Sequence, residues 1–389
     1  MSSRENPSGI CKDIPNLISS FVDTFVDYSF CGIFLPKDHS PENEIPQTRL
    51  EKPERLVAIG DLHGDLEKSR EAFMIAGLID SSDKWTGGST VVVQVGDVLD
   101  RGGEELKILY FLEKLKREAE RSGGKVVTMN GNHEIMNVEG DFRYVTKKGL
   151  EEFKAWLDWY CLGNKMKSLC RGLEKPDDPY QGIPMSFPRA RADCFEGLRA
   201  RIAALRPQGP IAKRFLSRNQ TVAVVGDSVF VHGGLLAEHI EYGLEKINEE
   251  VTGWINGSRG GAKYAPGYCR GGNSVVWLRK FSDEMAHRCD CSALEHALST
   301  IPGVKRMIMG HTIQDAGING VCGNKAIRID VGMSKGCSDG TPAVLEICKD
   351  SGLRIVTSNP NSLLAPDTRT GLGLLVPPEH VPQQVEVEA

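Results

Sequence analysis

No stretch of this 389-residue chain stays apolar for the ~20 residues that a bilayer-spanning helix needs, so a spanning reading is set aside. Clusters of positive charge are missing as well. The 47 Lys and Arg stand against 52 Asp and Glu, a net charge of -5, and the cations are dispersed; nucleic-acid binding needs a cationic footprint and is excluded as the leading function. Aromatic residues supply only 7% of the chain, and no internal repeat is present. The N-terminus lacks the basic-then-apolar layout of a secretory signal. It also carries Glu5, Asp13, Asp23 and Asp27 with few arginines, unlike an organelle presequence.

The eleven cysteines (11, 31, 161, 170, 194, 269, 289, 291, 322, 337 and 348) are odd in number and have no zinc-finger spacing. Reduced thiols in a cytoplasmic enzyme are the first expectation. The alternative rests on Cys11 and Cys31, which bracket an apolar helical stretch, and on Cys161 and Cys170, which flank a turn. Disulfides there imply the mitochondrial intermembrane space, reached without a cleavable presequence and with an oxidoreductase partner.

At this length one large catalytic domain with decorations is expected. Ile14, Leu17, Ile18, Phe21, Val22, Phe25 and Val26 recur at helical spacing, predicting an amphipathic helix over 14–29. Its acidic polar face opposes an anionic membrane surface and favours docking on the protein's own body. Residues 36–53 read as an extended connector, so 1–53 forms an N-terminal segment ahead of a catalytic region at 54–357. From 358 to 389 the core pattern gives way to Pro, Thr, Gln and alternating Val/Glu, and a disordered tail is expected.

Within the catalytic region, Arg55 to Gly60, Thr90 to Val95 and Lys125 to Met129 read as short buried strands. Helices over 66–77 and 104–121 separate them, a β-α-β rhythm. Residues 141–218 break it with an aromatic-rich helix around Phe153 to Tyr160, another at 198–205 and a Pro-rich loop between, a helical insertion over the catalytic face. Beyond it the chain reads as strand-dominated, with strands at 221–225, 229–232, 306–309, 326–331, 343–347 and 353–357. The fold class is α/β, a central β-sandwich flanked by helices.

Three clusters stand just after the first three strands. They are Gly60-Asp61-Leu62-His63-Gly64, Gly96-Asp97-Val98-Leu99-Asp100-Arg101-Gly102 and Gly131-Asn132-His133-Glu134. Ligands at the carboxyl ends of such strands converge on one rim. Phosphate esters resist hydrolysis because negative oxygens shield the phosphorus and water is a poor nucleophile. Two cations ~3.5–4 Å apart answer both problems, and clustered carboxylate, imidazole and carboxamide groups are what such a pair needs. His63, His133, His232 and His311 are four of only nine histidines, and all lie in strand-end Gly motifs.

With His232-Gly233-Gly234 and Gly310-His311, these motifs in this order resemble the phosphoprotein phosphatase (PPP) family, over roughly residues 55–357. The resemblance implies a calcineurin-like metallophosphoesterase fold with a dinuclear metal site at strand ends. It implies hydrolysis of phosphomonoesters on phosphoprotein substrates by attack of a metal-bridging hydroxide. By the same resemblance Asp97 bridges the metals, Asp61 and His63 complete one, and Asn132, His232 and His311 complete the other. Such a set accepts Mn, Fe or Zn, with Mn the expected ion in vitro. His133 is then the acid that protonates the leaving oxygen, oriented by Asp100, and Arg101 grips phosphate with its planar fork. Arg279 is a candidate second fork, an ordinary strand-end arginine being the alternative.

Departures narrow the family. Asn130 stands where most eukaryotic Ser/Thr members have arginine, Gly310-His311-Thr312 replaces Arg-Ala-His, and Thr357-Ser358-Asn359-Pro360-Asn361 lacks the tyrosine of the toxin-binding segment. With the 141–218 insertion, this resembles the Shewanella-like branch, of the non-plastid plant type. A diadenosine-tetraphosphate hydrolase and a non-catalytic phosphoprotein-binding scaffold are the competing readings.

Overall fold

Leu56-Val57-Ala58-Ile59 offers no polar side chain to water on either face, the pattern of a strand buried on both sides. The computed structural model places it in the interior of a sheet. It describes residues 10–36, 45–188, 190–259, 264–349, 352–358 and 373–375. Helix α1 (Ile10–Cys31) leads to strands β1 (Arg49–Leu50) and β2 (Arg55–Ile59), then to α2 (Leu66–Ile75). The rhythm repeats through β3 (Val91–Gln94), α3 (Glu105–Arg121), β4 (Lys125–Thr128) and α4 (Asn132–Glu139). Three further helices follow, α5 (Lys147–Ser168), α6 (Phe195–Leu205) and α7 (Pro210–Arg214).

The second half alternates more than its sequence suggests. After β5 (Val222–Val225) and β6 (Ser228–Val231) come α8 (Ala237–Tyr242), α9 (Leu244–Ile255) and α10 (Cys291–Ser299). Then follow β7 (Arg306–Met309), β8 (Asn319–Val321), β9 (Ala326–Arg328), β10 (Ala343–Cys348), β11 (Gly352–Thr357) and β12 (Gly373–Leu375). The strand-dominated reading is therefore corrected. Leu244, Ile247, Val251 and Ile255 are buried together at helical spacing, a signal masked by the glycine-rich flanks. β1 likewise interrupts the expected extended connector, pairing in parallel with β5. Of the region expected to be a disordered tail, residues 359–372 and 376–389 lie outside the described residues. Gly373–Leu375 is a strand along β11.

Two six-stranded sheets result, in the orders β12-β11-β10-β2-β3-β4 and β1-β5-β6-β7-β9-β8. β2, β3 and β4 run parallel, as do β6 and β7. Their buried side chains, among them Ile59, Val93, Val127, Phe230, Ile308 and Ile327, form one continuous core. The parallel strands aim their carboxyl ends at one rim, where the motif loops emerge. Gln94, the last residue of β3, ties two of those loops. Its Nε2 donates to Gly60 O (3.1 Å) and Gly96 O (2.7 Å).

Helix α1 lies against α5. Val22 and Val26 are buried and approach Gly163, where a β-carbon would crowd both valines. The buried Asp27 accepts hydrogen bonds from Tyr110 Oη (2.8 Å) and both terminal nitrogens of Arg214 (2.8 and 2.6 Å). No helix among the described residues is long and apolar enough to cross a membrane.

The cysteines depart from expectation. A disulfide joins Cys291 at the start of α10 to Cys322 in the β8–β9 turn, with 5.3 Å between Cα atoms. Cys31, Cys161 and Cys170 are free, and the Cys11 side chain lies outside the described residues. The pair is 31 residues apart in sequence, so only tertiary packing brings it together.

Candidate metal centre

The backbone at the rim adopts conformations that side chains ordinarily avoid. His63, Asp97, Asp100, Arg101 and His311 have φ between 43° and 68°, the left-handed region, where non-glycine residues cost of order 1 kcal/mol or more and cluster at functional sites. Surrounding hydrogen bonds hold them there. Glu134 accepts from the backbone N–H groups of Asp97 (2.8 Å), Val98 (2.8 Å), Leu99 (3.1 Å) and Gly131 (2.7 Å). One carboxylate thus fixes the middle motif to the start of α4. The glycines leave room for ligands, since a β-carbon on Gly131 would collide with Asp97 Oδ1 and one on Gly310 with Asp61 Oδ1.

Asp97 is central. Its Oδ2 faces Nε2 of His232 (3.2 Å), His63 (3.7 Å) and His133 (3.8 Å), while Oδ1 accepts from His133 N (3.0 Å). Candidate ligand atoms of His63, Asp97 and His133, and those of Asp97, His232 and His311, lie within 4.8 Å of one another in each set. Asn132 Oδ1 is 2.9 Å from His232 Nε2, and Asp61 accepts from His311 N (3.2 Å). The structure therefore brings Asp61, His63, Asp97, Asn132, His232 and His311 to one rim.

The imidazoles are oriented from behind. His63 Nδ1 lies 2.9 Å from Leu99 O and His232 Nδ1 3.0 Å from Val95 O. A carbonyl only accepts, so each Nδ1 carries the proton and each Nε2 is turned to the centre, as metal-binding imidazoles are. His311 Nε2 is buried with no hydrogen-bond partner. Leaving a buried polar atom unpaired costs about 1–3 kcal/mol, and a cation there would remove that cost.

The charges also ask for a cation. Burial alone would raise Asp97, but the imidazoles of His232, His133 and His63 hold it well below the usual carboxylate range. Asp61 goes the other way, pushed well above that range by burial, then by Asp330 and Asp97. Burial drives His63 down to about 4 and, with His232 and Arg279, holds His311 well below its ordinary value. Both are neutral donors near pH 7. His232 resists burial and is raised by Asp97, because without a cation the proton is what neutralises that carboxylate.

His133 differs in having a carboxylate behind its ring. Its Nδ1 sits 2.6 Å from Asp100 Oδ2, and although burial opposes it, Asp97 and Asp100 raise its pKa, favouring the proton-bearing form. Arg101 lies beside it. Its guanidinium covers the Tyr144 ring at 4.8 Å, that ring is 5.0 Å from the His133 ring, and Arg101 Nε is buried without a partner. Arg279 is placed differently. Its Nη1 donates to His311 O (3.1 Å) and Thr312 Oγ1 (2.8 Å), so that arm braces the His311 loop.

Two residues at the rim itself were missed by sequence reasoning alone. Glu134 belongs to a recognised motif but carries no ligand pattern, and its four backbone partners are visible only in three dimensions. Asp330 pushes Asp61 up by its charge, and burial raises its own carboxyl to about 6, against the bond from Gly332 N. Its signal was an Asp two residues before a glycine just after β9, the strand-end pattern of the other motifs.

The calcineurin-like phosphoesterase family model matches residues 54–315. The chain is 84% identical to Shewanella-like protein phosphatase 2 of Arabidopsis thaliana over the full length of both. It is 29% identical to Shewanella-like protein phosphatase 1 of Plasmodium berghei (strain Anka), covering 74% of this chain and 69% of that one. Among solved structures it is similar to a cold-active protein-tyrosine phosphatase of a psychrophilic Shewanella species. The TM-score is 0.58 at 24% identity, covering 82% of this chain and 83% of that one, a likeness of fold.

Proposed function

The chain belongs to the calcineurin-like phosphoesterases and, within them, to the Shewanella-like protein phosphatases, and from that premise we propose how its residues divide the work of a metal-dependent phosphoprotein phosphatase. Asp61, His63 and Asp97 would hold one divalent cation, and Asp97, Asn132, His232 and His311 a second. Manganese is the ion we expect to support activity in vitro, since Asp, Asn and His ligands do not by themselves select among Mn, Fe and Zn. Bound there, the cations neutralise phosphate oxygens and acidify water.

The protein's own groups supply the rest. Arg101, its Nε unpaired in the absence of substrate, grips the phosphate oxygens with its planar fork. Arg279 holds the His311 loop through Nη1 and would add a second contact to phosphate. His133 donates a proton from Nε2 to the leaving oxygen, and Asp100 fixes its tautomer through Nδ1. The observation that carries this reading is Asp97 Oδ2 facing three imidazoles beside the unpartnered Nε2 of His311.

The test is a manganese titration with an aryl phosphate, followed by a phosphopeptide panel set against diadenosine tetraphosphate. Metal-dependent turnover of phosphopeptides is expected. Faster cleavage of the dinucleotide would overturn the monoesterase reading, and metal binding with no turnover of any substrate would favour a scaffold. The Cys291–Cys322 bridge favours an oxidising compartment, of which the mitochondrial intermembrane space is the candidate, over the cytoplasm, because structural disulfides persist where thiols are oxidised. Free thiols at both positions in protein alkylated directly in cells would return it to the cytoplasm.

A further inference from the structure

Arg201 lies on α6, within the helical insertion, and its side chain is fully buried at 0% exposure. Its Nη2 donates to Asp100 Oδ1 (2.8 Å) and Glu105 Oε2 (2.6 Å), and its Nη1 to Glu105 Oε1 (3.0 Å). Its Nε donates to Asn137 Oδ1 (2.7 Å), and the guanidinium rests 4.5 Å from the Phe153 ring. Asn137 Nδ2 in turn donates to Asp100 Oδ1 (3.0 Å). Two donors therefore hold one oxygen of Asp100, and the other oxygen is turned to His133 Nδ1.

We propose that Arg201 is a positioning residue for protonation of the leaving group, acting through Asp100 to aim the His133 ring. The inference rests on the reading of His133 as the acid. Burying a guanidinium carries a large desolvation penalty that its partners must offset, and for stability alone an apolar side chain of similar volume would often serve as well. The distribution of its donors points to a geometric task. Glu105, neutralised by Arg201, accepts from Asp100 N (2.8 Å) through the same Oε2. Arginine and glutamate thus grip residue 100 at both its backbone and its carboxylate. That residue has φ of 68°, a conformation that needs outside support. Released from the clamp, the carboxylate would rotate, and a misplacement of about 1 Å in a catalytic group can cost about 10²-fold in rate. The insertion thereby becomes part of the acid machinery from behind, without touching substrate.

The experiment compares leaving groups in the manganese-loaded full-length enzyme. Arg201→Met removes all five donors, Arg201→Lys keeps the charge without the fork, and Asn137→Ala removes the second donor to Asp100. With phenyl phosphate, whose leaving oxygen needs the proton, Arg201→Lys should lose about 10- to 100-fold in kcat at near-constant KM. With nitrophenyl phosphate, which needs it far less, the loss should stay within about threefold. Metal content and circular dichroism should match the parent. In an Asp100→Asn background, Arg201→Lys should change the ratio between the two substrates no further. Equal losses on both substrates, or full additivity with Asp100→Asn, would overturn the proposal. If Arg201→Met fails to fold, the Arg201→Lys and Asn137→Ala ratios decide. His133→Asn run beside them separates two failures: a flat ratio there removes the acid reading and this inference together, whereas a steep ratio there with a flat one for Arg201→Lys removes this inference alone.

Discussion

Behind the His133 ring, Asp100 and Glu105 share one guanidinium, and a carboxamide donates to Asp100 as well. In front of it, Asp61, Asp97 and Asp330 face one another with imidazoles for company. The rear cluster carries its own counter-charge, and its geometry is complete without a ligand. The front cluster is short of positive charge and leaves His311 Nε2 and Arg101 Nε unpaired. Other buried polar atoms also lack partners, so what singles these two out is their place at the rim with the candidate ligands, where a cation and a phosphate would enter. A site that does chemistry on a bound anion needs both halves, one rigid before binding and one finished by it.

The largest effect expected from breaking the front half is that of Asp97→Asn. A single carboxylate faces both sets of candidate ligands, so hydrolysis should be abolished and metal content, read by elemental analysis, should fall. Full metal occupancy with near-normal turnover would show that the front half does not depend on that charge. His133→Asn tests the boundary between the halves. Both metals should stay, while the rate falls by roughly 10²–10⁴, the range of general acid catalysis. His133 also stands within ligand distance of His63 and Asp97, and loss of a metal in this variant would move it into the front cluster.

The two halves were unequally legible in the sequence. Every proposed metal ligand lies within two residues of a strand-end glycine, so local pattern marked the motifs, and the family resemblance picked Asp61, His63, Asp97, Asn132, His232 and His311 out of them. Arg201 gave no such signal. In Glu196-Gly197-Leu198-Arg199-Ala200-Arg201 it reads as one of two ordinary surface arginines, and only the packing of α6 behind α4 buries it. The central strands, β2 to β7 with β9 and β10, were legible because they are short, apolar and buried, whereas β1, β8 and β12 were not read from the sequence. The helices α8 and α9 were not legible, since glycine-rich neighbours obscured their periodicity, α10 was not read either, and the Cys291–Cys322 pairing depends on contacts that no spacing encodes.

A smaller loss is expected at the anion-binding edge of the front half. Charge-assisted hydrogen bonds contribute about 1.5–3 kcal/mol, so Arg101→Ala should lower kcat/KM about 10- to 100-fold and weaken inhibition by inorganic phosphate. Arg101→Lys should recover part of this, because an ammonium cannot reproduce the fork. Phosphate inhibition unchanged in Arg101→Ala would place the residue outside the anion site and leave its unpaired Nε without a purpose.

The smallest effect on turnover is expected from Glu152→Gln, which probes the third carboxyl group behind the ring. Glu152 on α5 accepts from Leu106 N (2.9 Å) and Lys107 N (3.1 Å), capping the start of α3 next to Glu105. Burial, then the Glu105 charge, push its carboxyl up to about 8 despite those bonds. The unfolded chain releases this proton near pH 4.3, so between about 4.3 and 8 the folded state holds a proton that the unfolded state has lost. The stabilisation is therefore complete below about pH 4.3, declines as pH rises through that window, and is gone above about 8. Glu152→Gln keeps a carbonyl oxygen for the cap and cannot titrate. Urea midpoints measured from pH 5 to 8.5 should fall for the parent and fall less for the variant, with activity at pH 7 within about twofold. Parallel slopes would mean that Glu152 is ionised in the folded protein and that Arg201 balances three carboxylates, making the rear half as short of positive charge as the front.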